Sequence, residues 1–354
     1  MFWKKNILSF ASLFLIGGMV VSCSSHEHQA PVAPKTVNTR VTTVAQFNEL
    51  MEHMAMNMIP SFSFHCVGSA GSMVAQSFWQ DYSGSYKVAP AAGGQSNVTL
   101  EYAHYVHILA AHRNPALESK LSSRELSTLR EAQSLVRKLR PSDGDRFEHI
   151  VNIHDYIVKE YKADLSGSDC VMDLLLDERG ACWAHSRAFY LLAQMSGIPC
   201  HIVNGHAGGG EHSWNLVQMD NGEWYHLDTT WDDPITRGAD AGDTIEYHRY
   251  FLMCDFHMGQ DHSWNHAPFP KSGHHHARYF VNRHLVFDDC ATFWRAAKNA
   301  FYSGKFEYEG WITKFNEDEF RAEMKKTLDG DSNMTSCGWV GPKAAEGSVR
   351  VLFN

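Results

Sequence analysis

The chain has 354 residues, of which 44% are hydrophobic and 20% are charged. This balance is typical of a globular protein with a hydrophobic core, and it excludes a disordered tail, a collagen and a coiled coil. Lys and Arg together number 31 against 40 Asp and Glu, so the net charge of −9 argues against a nucleic-acid partner. At this length we expect one large domain or two to three smaller ones.

The first 23 residues predict export from the cytoplasm. Lys4 and Lys5 precede an apolar run over residues 7–21, which is too short for a stable membrane anchor and typical of a secretory signal. The run ends at Ser22-Cys23 and resembles the bacterial lipoprotein signal, in which cleavage precedes the cysteine and a diacylglycerol is attached to its sulfur. We therefore expect a signal peptide at residues 1–22 and lipidation at Cys23. The alternative is an ordinary signal with an incidental cysteine.

A lipid anchor of this kind places the protein in the bacterial cell envelope, facing the periplasm or the exterior. Ser24 follows the cysteine where an Asp would favour retention at the inner membrane, so in a Gram-negative envelope we expect the outer membrane. We therefore expect the protein to contact the membrane through this lipid anchor.

Seven further cysteines follow, and no two of them have the CxxC spacing of a zinc knuckle or a thioredoxin-like motif. An odd number of thiols in an oxidising compartment predicts that one of them stays free. The candidates for disulfide pairing or for burial are Cys66, Cys170, Cys200, Cys254, Cys290 and Cys337, and the sequence leaves their pairing open.

The segment after Cys23 divides into a tether and a lobe. Residues 23–40 are rich in Ser, His and Pro and are typical of a tether. Residues 41–120 predict an N-terminal α/β lobe, in which the alternating, aromatic-rich stretch over residues 98–109 predicts a strand. A helix is predicted by apolar residues at helical spacing, namely Phe47, Leu50, Met51 and Met54.

Three helices are predicted next. Ser122 and Glu125 form a capping box at the start of the first helix, which ends before Pro141. A second amphipathic stripe covers residues 147–161. The third helix begins at Cys182 and ends at Gly197.

Cys182 is the candidate nucleophile because of its place at a helix start. The N–H groups and the positive end of the helix dipole favour a thiolate over a thiol at such a position. The same N–H groups can donate hydrogen bonds to an oxyanion.

A hairpin follows this helix. A strand over residues 200–204 and a mobile loop over residues 207–210 lead into a strand that contains His212. The chain then turns and returns in a strand over residues 223–231, which contains Asp228.

The turn at residues 220–222 decides whether His212 and Asp228 can meet. A two-residue turn would put them on opposite faces of the sheet. A three-residue loop with Gly222 in the left-handed conformation makes them diagonal neighbours on one face, about 7 Å apart between backbones. We predict the three-residue loop, with Met219 facing Glu223.

Residues 147–234 resemble the transglutaminase-like superfamily, part of the papain-like thiol enzymes. The resemblance is carried by Gly180-Ala181-Cys182-Trp183-Ala184, Gly197-Ile198-Pro199, His212-Ser213-Trp214-Asn215 and the run over residues 224–234. It implies Cys182 as the nucleophile, His212 as the general base and acid, and Asp228 as the carboxylate that orients the imidazole.

The chain departs from the family pattern around the nucleophile. Bacterial members often have a Gly-Tyr pair shortly after the cysteine, where this chain has Trp183-Ala184-His185. The upstream aromatic residue that helps to form the oxyanion hole in some relatives has Tyr161 as its candidate. We assign Tyr161, Trp183 and Trp214 to the oxyanion hole or to the walls of the cleft.

The resemblance implies an α+β fold with a papain-like or transglutaminase-like core, in which the nucleophile helix packs on an antiparallel sheet. We expect this catalytic core over residues 121–269, behind the N-terminal lobe. A small C-terminal α/β extension over residues 270–354 completes the chain and contains a strand over residues 348–353.

The remaining histidines carry weaker signals. The tetrapeptide His-Ser-Trp-Asn occurs twice, and we interpret the second copy, which begins at His262, as a structural or cleft position because no acidic strand follows it. His185 and His226 are interpreted as a cleft-wall residue and a packed residue. The chain has 22 histidines, including the triplet at residues 274–276, but no HExxH motif. We therefore predict no metal site and no cofactor.

Two classes of function follow from this sequence. A thiol enzyme would form a thioester that water releases in a cysteine protease or amidase, and that an amine releases in a crosslinking transferase. We favour hydrolysis of peptide or carboxamide bonds in a protein or peptide substrate. The alternative is a non-catalytic surface lipoprotein that keeps the fold and binds a peptide or a glycan.

Overall fold

A computed structural model describes the protein over residues 35–67, 72–73, 76, 78, 81–90, 92–164, 166–233, 248–274, 278–329, 331, 333–334, 336–341 and 346–353. The predicted signal peptide and Cys23 lie outside these residues, as do His275 and His276. Among the described residues no helix is long and apolar enough to cross a membrane. The seven cysteines that they contain are free thiols.

The N-terminal lobe combines a four-stranded sheet with two helices. Its elements are β1 (Lys35–Val41), α1 (Val44–Met56), β2 (Ser61–Cys66), β3 (Ser83–Pro90), β4 (Gln95–Tyr102) and α2 (His104–Arg113). The strand order is β1-β2-β4-β3, with β1 parallel to β2 and the other neighbours antiparallel.

Two expectations for this lobe are wrong in part. β1 lies inside the stretch interpreted as a tether, where parallel pairing with β2 holds it. The strand expected over residues 98–109 ends at Tyr102, and α2 starts two residues later. Tyr105, Ile108 and Leu109 recur at helical spacing and are buried, so the apolar pattern there is helical.

The central part of the chain forms a five-stranded antiparallel sheet with helices packed on it. Its elements are α3 (Ser123–Leu139), α4 (Arg146–Glu160), β5 (Lys162–Ala163), α5 (Val171–Asp177), β6 (Arg179–Gly180), α6 (Cys182–Met195), β7 (Cys200–Ala207), β8 (Gly210–Gln218), β9 (Trp224–Leu227), β10 (Phe251–Met253), α7 (Asp255–Met258) and β11 (His262–Trp264). The strand order is β10-β9-β8-β7-β11. The three predicted helices are confirmed as α3, α4 and α6.

Local signals explain where these helices begin and end. The Ser122 side chain accepts a hydrogen bond from the Glu125 N–H, and Glu125 Oε2 accepts one from the Ser122 N–H at 2.8 Å, which completes the predicted capping box. Gly197, with φ of +74°, follows the end of α6.

Helix α6 packs directly on β8. Ser186 Oγ lies 2.8 Å from Ser213 Oγ, and Asn215 Nδ2 donates a hydrogen bond to the Ser186 carbonyl at 3.0 Å. All three side chains are buried. The helix that begins at Cys182 is thereby fixed against the strand that carries His212, and the predicted α+β architecture is confirmed.

The C-terminal part has a further four-stranded sheet and a hydrophobic cluster of its own. Its elements are α8 (Arg278–Asn282), β12 (Val286–Phe287), α9 (Cys290–Tyr302), β13 (Glu307–Ile312), α10 (Glu317–Asp329), β14 (Cys337–Val340) and β15 (Gly347–Phe353). The strand order is β12-β13-β15-β14. Phe293, Trp294 and Phe320 are central to this core, whereas the N-terminal lobe and the central sheet share one continuous core.

Candidate active site

Cys182 is the first residue of α6 and carries a half-buried free thiol. Ala181 precedes it as the N-cap and provides no side-chain hydrogen bond to the helix. The first turn of a helix presents N–H groups that lack intrahelical acceptors, and Cys182 belongs to that turn. This end of α6 therefore suits an anionic sulfur and a neighbouring oxyanion.

The hairpin has the predicted register. Gly222 adopts φ of +83°, the Met219 N–H donates to the Glu223 carbonyl, and Asn215 pairs with Leu227. His212 and Asp228 consequently share a face of the sheet as diagonal neighbours. The distance of 2.6 Å between His212 Nε2 and Asp228 Oδ2 shows that their side chains meet.

Asp228 is held in place by the turn that follows β9. The strand ends at Leu227, earlier than the predicted end at residue 231. Beyond it the chain forms a turn, and the Asp228 side chain accepts backbone hydrogen bonds. Its Oδ1 accepts hydrogen bonds from the N–H of Thr230 at 2.9 Å and of Trp231 at 3.1 Å. The carboxylate is fully buried, and two histidines hold its pKa well below the ordinary value against the opposing effect of burial.

His212 interacts with both of the other residues. Burial opposes its charged form, but the Asp228 carboxylate and the hydrogen bond with Cys182 raise the pKa of His212 to about 10. Because Nε2 is bonded to Asp228, Nδ1 is the nitrogen left to face the Cys182 sulfur. A protonated imidazole at this position favours a thiolate beside it and can supply a proton to a leaving group.

His262 is a site residue whose role the sequence interpretation missed. Its Nε2 lies 3.2 Å from Asp228 Oδ2, the oxygen that also faces His212. The second copy of the tetrapeptide forms β11, which pairs with β7 so that His262 faces Ala207. This pairing places His262 on the same sheet face as His212. The repeated His-Ser-Trp-Asn was the available signal, but it did not reveal the strand order.

The three residues assigned to the oxyanion hole or the cleft have different surroundings. Trp214 is buried, and its indole N–H donates to His226 Nδ1 at 3.0 Å, so the assignment is wrong for this residue. Tyr161 is also buried and packs edge-on against Tyr156, with ring centroids 5.6 Å apart. Trp183 is half-buried beside Cys182 and stays a candidate for the cleft wall.

Two further histidines lie inside the core. His185 is fully buried, so it does not line an open cleft as expected, and burial lowers its pKa to about 4. His226 is packed as predicted, and its Nε2 lies 3.0 Å from Asp255 Oδ1. Both are therefore interior residues.

The loop expected to be mobile beside His212 is a tight turn. Ala207 pairs with Gly210, and the two residues between them have positive φ, +60° at Gly208 and +86° at Gly209. This combination is that of a type I′ turn, which matches the twist of the flanking strands. The Gly-rich sequence thus reflects turn geometry.

Three groups of side chains among the described residues have donor atoms close enough to hold a metal ion. They are His104, His107 and Glu125; His154, Asp155 and His248; and His212, Asp228 and His262. In each group a carboxylate oxygen lies 2.6–3.2 Å from imidazole nitrogens, so hydrogen bonding between imidazole and carboxylate accounts for the geometry.

The comparison with known families concerns the centre of the chain. Residues 133–229, which contain Cys182, His212 and Asp228, match the transglutaminase-like superfamily, a family of thiol enzymes. No curated protein is significantly similar to the chain.

Several solved structures resemble parts of the chain at low identity. A TGase is 11% identical over 55% of this chain and 59% of its own, with a TM-score of 0.28. The periplasmic domain of TgpA from Pseudomonas aeruginosa bound to ethylmercury is 16% identical over 40% of this chain and 57% of its own, with a TM-score of 0.26. Calcium-bound LapG from Legionella pneumophila is 13% identical over 34% of this chain and 72% of its own, with a TM-score of 0.25. The chain thus spans less than two thirds of the first two structures.

Proposed function

Because the core of this chain belongs to the transglutaminase-like superfamily, we propose that the protein is a cysteine protease or amidase that acts on peptide or carboxamide bonds. The observation that carries the proposal is the 2.6 Å contact between His212 Nε2 and Asp228 Oδ2, beside a Cys182 side chain that helps to raise the pKa of the same His212 ring. A nucleophile, a proton carrier and an orienting carboxylate are the components of nucleophilic acyl transfer.

In the proposed reaction the Cys182 thiolate attacks the carbonyl carbon of the substrate. The carbonyl electron pair moves to oxygen, and N–H groups at the start of α6 stabilise the resulting oxyanion. When this intermediate collapses, the carbon–nitrogen bond breaks and the departing amine takes a proton from His212. The products of this half-reaction are a thioester on Cys182, a neutral imidazole and a free amine.

Water then attacks the thioester and gives one proton to His212. The carbon–sulfur bond breaks, the acid product leaves, and the thiolate and imidazolium are restored. Asp228 stays ionised throughout and keeps the His212 ring aligned. The partial exposure of Cys182 supports release by water over release by an amine, because a thioester on an exposed sulfur is open to solvent.

The proposed setting is the bacterial cell envelope. The lipoprotein-like sequence ending at Cys23 would anchor the protein through a lipid, and the substrate would be an envelope protein or peptide. The excess of acidic over basic residues supports the absence of a nucleic-acid partner.

The test is a comparison of peptide cleavage by the wild-type protein, Cys182→Ala and Cys66→Ser. Cys66 is another half-buried cysteine and serves as the matched control. We expect new peptide termini with the wild type and the control and none with Cys182→Ala. Products containing a new bond to an added primary amine would instead indicate transfer. Equal product patterns with Cys182→Ala and the wild type would overturn the proposal.

Alkylation provides a measurement that needs no substrate. We expect iodoacetamide at neutral pH to label Cys182 much faster than Cys66 or Cys337, and we expect this advantage to be lost in His212→Ala. Uniformly slow labelling of all the cysteines, together with no cleaved peptide, would favour the non-catalytic binding lipoprotein.

A further inference from the structure

The buried His262 lies at the centre of a row of polar contacts that runs from the exposed Asp261 to the candidate active site. Its Nε2 lies 3.2 Å from Asp228 Oδ2, and its Nδ1 lies 2.7 Å from Asp261 Oδ1. The Tyr250 hydroxyl donates to the other oxygen of Asp261 at 2.5 Å. The reaction described above uses none of the residues His262, Asp261 and Tyr250.

Both ring nitrogens of His262 face carboxylate oxygens, which only accept hydrogen bonds when ionised. The ring must therefore carry a hydrogen on each nitrogen and is an imidazolium. Burial opposes this charge, but Asp228 and Asp261 raise the pKa of His262 above its ordinary value. Two other histidines lie near His262. The His212 ring is 5.6 Å away between centroids, and the charge on His262 adds to burial in lowering the pKa of His226.

The contact from His262 completes the surroundings of the Asp228 carboxylate. Oδ1 accepts two backbone N–H groups, and Oδ2 lies at hydrogen-bond distance from the two imidazoles. A carboxylate has about four lone-pair directions, so each is occupied here. With four donors in place the plane of the carboxylate is fixed, and so is the direction from which it holds the His212 ring.

The position of His262 depends on close packing between β11 and β7. Gly205 is the residue of β7 that pairs with Trp264 of β11. A Cβ atom at this glycine would be 2.1 Å from the Ser263 carbonyl oxygen and 2.8 Å from the Trp214 ring. A residue with a side chain at this position would therefore force β11 away from the sheet. The Trp214 and Trp231 rings also enclose His262, at 4.9 and 4.7 Å between centroids.

We propose that His262 is a positioning residue, which shares Asp228 Oδ2 with His212 and, anchored by Asp261, fixes the carboxylate that aligns the proton carrier. The proposal rests on the proposed function of Cys182, His212 and Asp228. It predicts that a hydrogen-bond donor at residue 262 is needed for rapid reaction but not for substrate binding.

The experiment compares His262→Phe, which keeps a ring but has no donor, with His262→Gln, whose amide can still donate to Asp228. His257→Gln is the matched control, because His257 is a buried histidine that lies 3.0 Å from Glu346 outside the site. We measure kcat and KM on a cleaved peptide, the alkylation rate of Cys182, and the thermal unfolding temperature of each variant.

We expect His262→Phe to lower kcat by roughly tenfold to a hundredfold, the effect of losing a buried hydrogen bond to a charged group, with KM within about threefold of wild type. His262→Gln should recover most of this loss, and His257→Gln should leave kcat unchanged. Wild-type kcat in His262→Phe would overturn the proposal, and so would equal losses in Phe and Gln that follow a fall in unfolding temperature.

Asp261→Asn and the alkylation rate of Cys182 test the proposal where His262→Phe or the cleavage assay fails. If His262→Phe does not fold, Asp261→Asn keeps the His262 ring and removes its anchoring charge, and we expect a smaller decrease in kcat of about threefold to tenfold. If the wild type cleaves no peptide, the proposed function fails. The alkylation rate of Cys182 in the His262 variants then still decides whether His262 positions the site.

Discussion

The two copies of His-Ser-Trp-Asn have the same sequence and occupy different places in one sheet. The first copy lies in β8, a central strand, where His212, Ser213, Trp214 and Asn215 are all buried. The second copy begins β11, an edge strand, where His262 is buried but Ser263 and Asn265 are exposed. The histidine keeps the same hydrogen-bond partner in both copies, the Oδ2 atom of Asp228.

The difference shows how strand position gives identical side chains different tasks. In β8 the serine and the asparagine bind Ser186 and tie the strand to α6, so His212 is held against the helix that starts with Cys182. In the second copy Asn265 follows the end of β11 and accepts a hydrogen bond from the Ala267 N–H within the loop. The central copy therefore joins the nucleophile helix to the carboxylate, and the edge copy reaches the carboxylate through His262.

The largest effect should come from removing the first histidine. Without His212 the thiol loses its proton acceptor and the leaving amine loses its proton donor, so we expect His212→Ala to lower kcat/KM by at least about 10³-fold. This loss should exceed that of His262→Phe by tenfold or more. Steady-state kinetics on one peptide substrate would measure both variants, and equal losses would mean that the two copies do not differ in function.

The tryptophans of the two copies, Trp214 and Trp264, should differ in how much they contribute to the free energy of unfolding. Trp214 is fully buried and donates to His226, whereas Trp264 is half-buried. We expect Trp214→Ala to cost about 3–5 kcal/mol of unfolding free energy, because a large buried ring leaves a cavity, and Trp264→Ala to cost roughly half as much. Urea denaturation would measure both values. Equal costs would mean that the edge strand is packed as tightly as the central one.

The sequence allowed prediction of the parts of the site that depend on local rules. The turn at residues 220–222 allowed two registers, and we predicted the one in which His212 and Asp228 share a face; the resemblance to the transglutaminase-like superfamily then implied their roles. The capping box at Ser122 and the glycine after α6 likewise marked helix ends. Each of these signals acts within a few residues of the chain.

The parts that could not be predicted depend on contacts between distant segments. The edge position of β11 follows from its pairing with β7, about 55 residues earlier, and nothing within the tetrapeptide encodes it. The early end of β9 likewise depends on hydrogen bonds that only a buried Asp228 makes. The helix α2 was missed because its aromatic residues were interpreted with a period of two.

The smallest effect concerns the pH dependence of kcat/KM, which follows the proton on His212. The pKa of His212 is about 10, above the value near 6.5 of an unfolded chain, so the proton that it donates is present at neutral pH and is lost only as the pH rises through 10. We expect kcat/KM to hold between pH 7 and 9 and to fall about tenfold per unit above pH 10. In Asp228→Asn the carboxylate charge is gone, so this decline should begin at lower pH. A pH profile of the wild type that already declines near pH 7 would show that Asp228 does not hold the proton on His212.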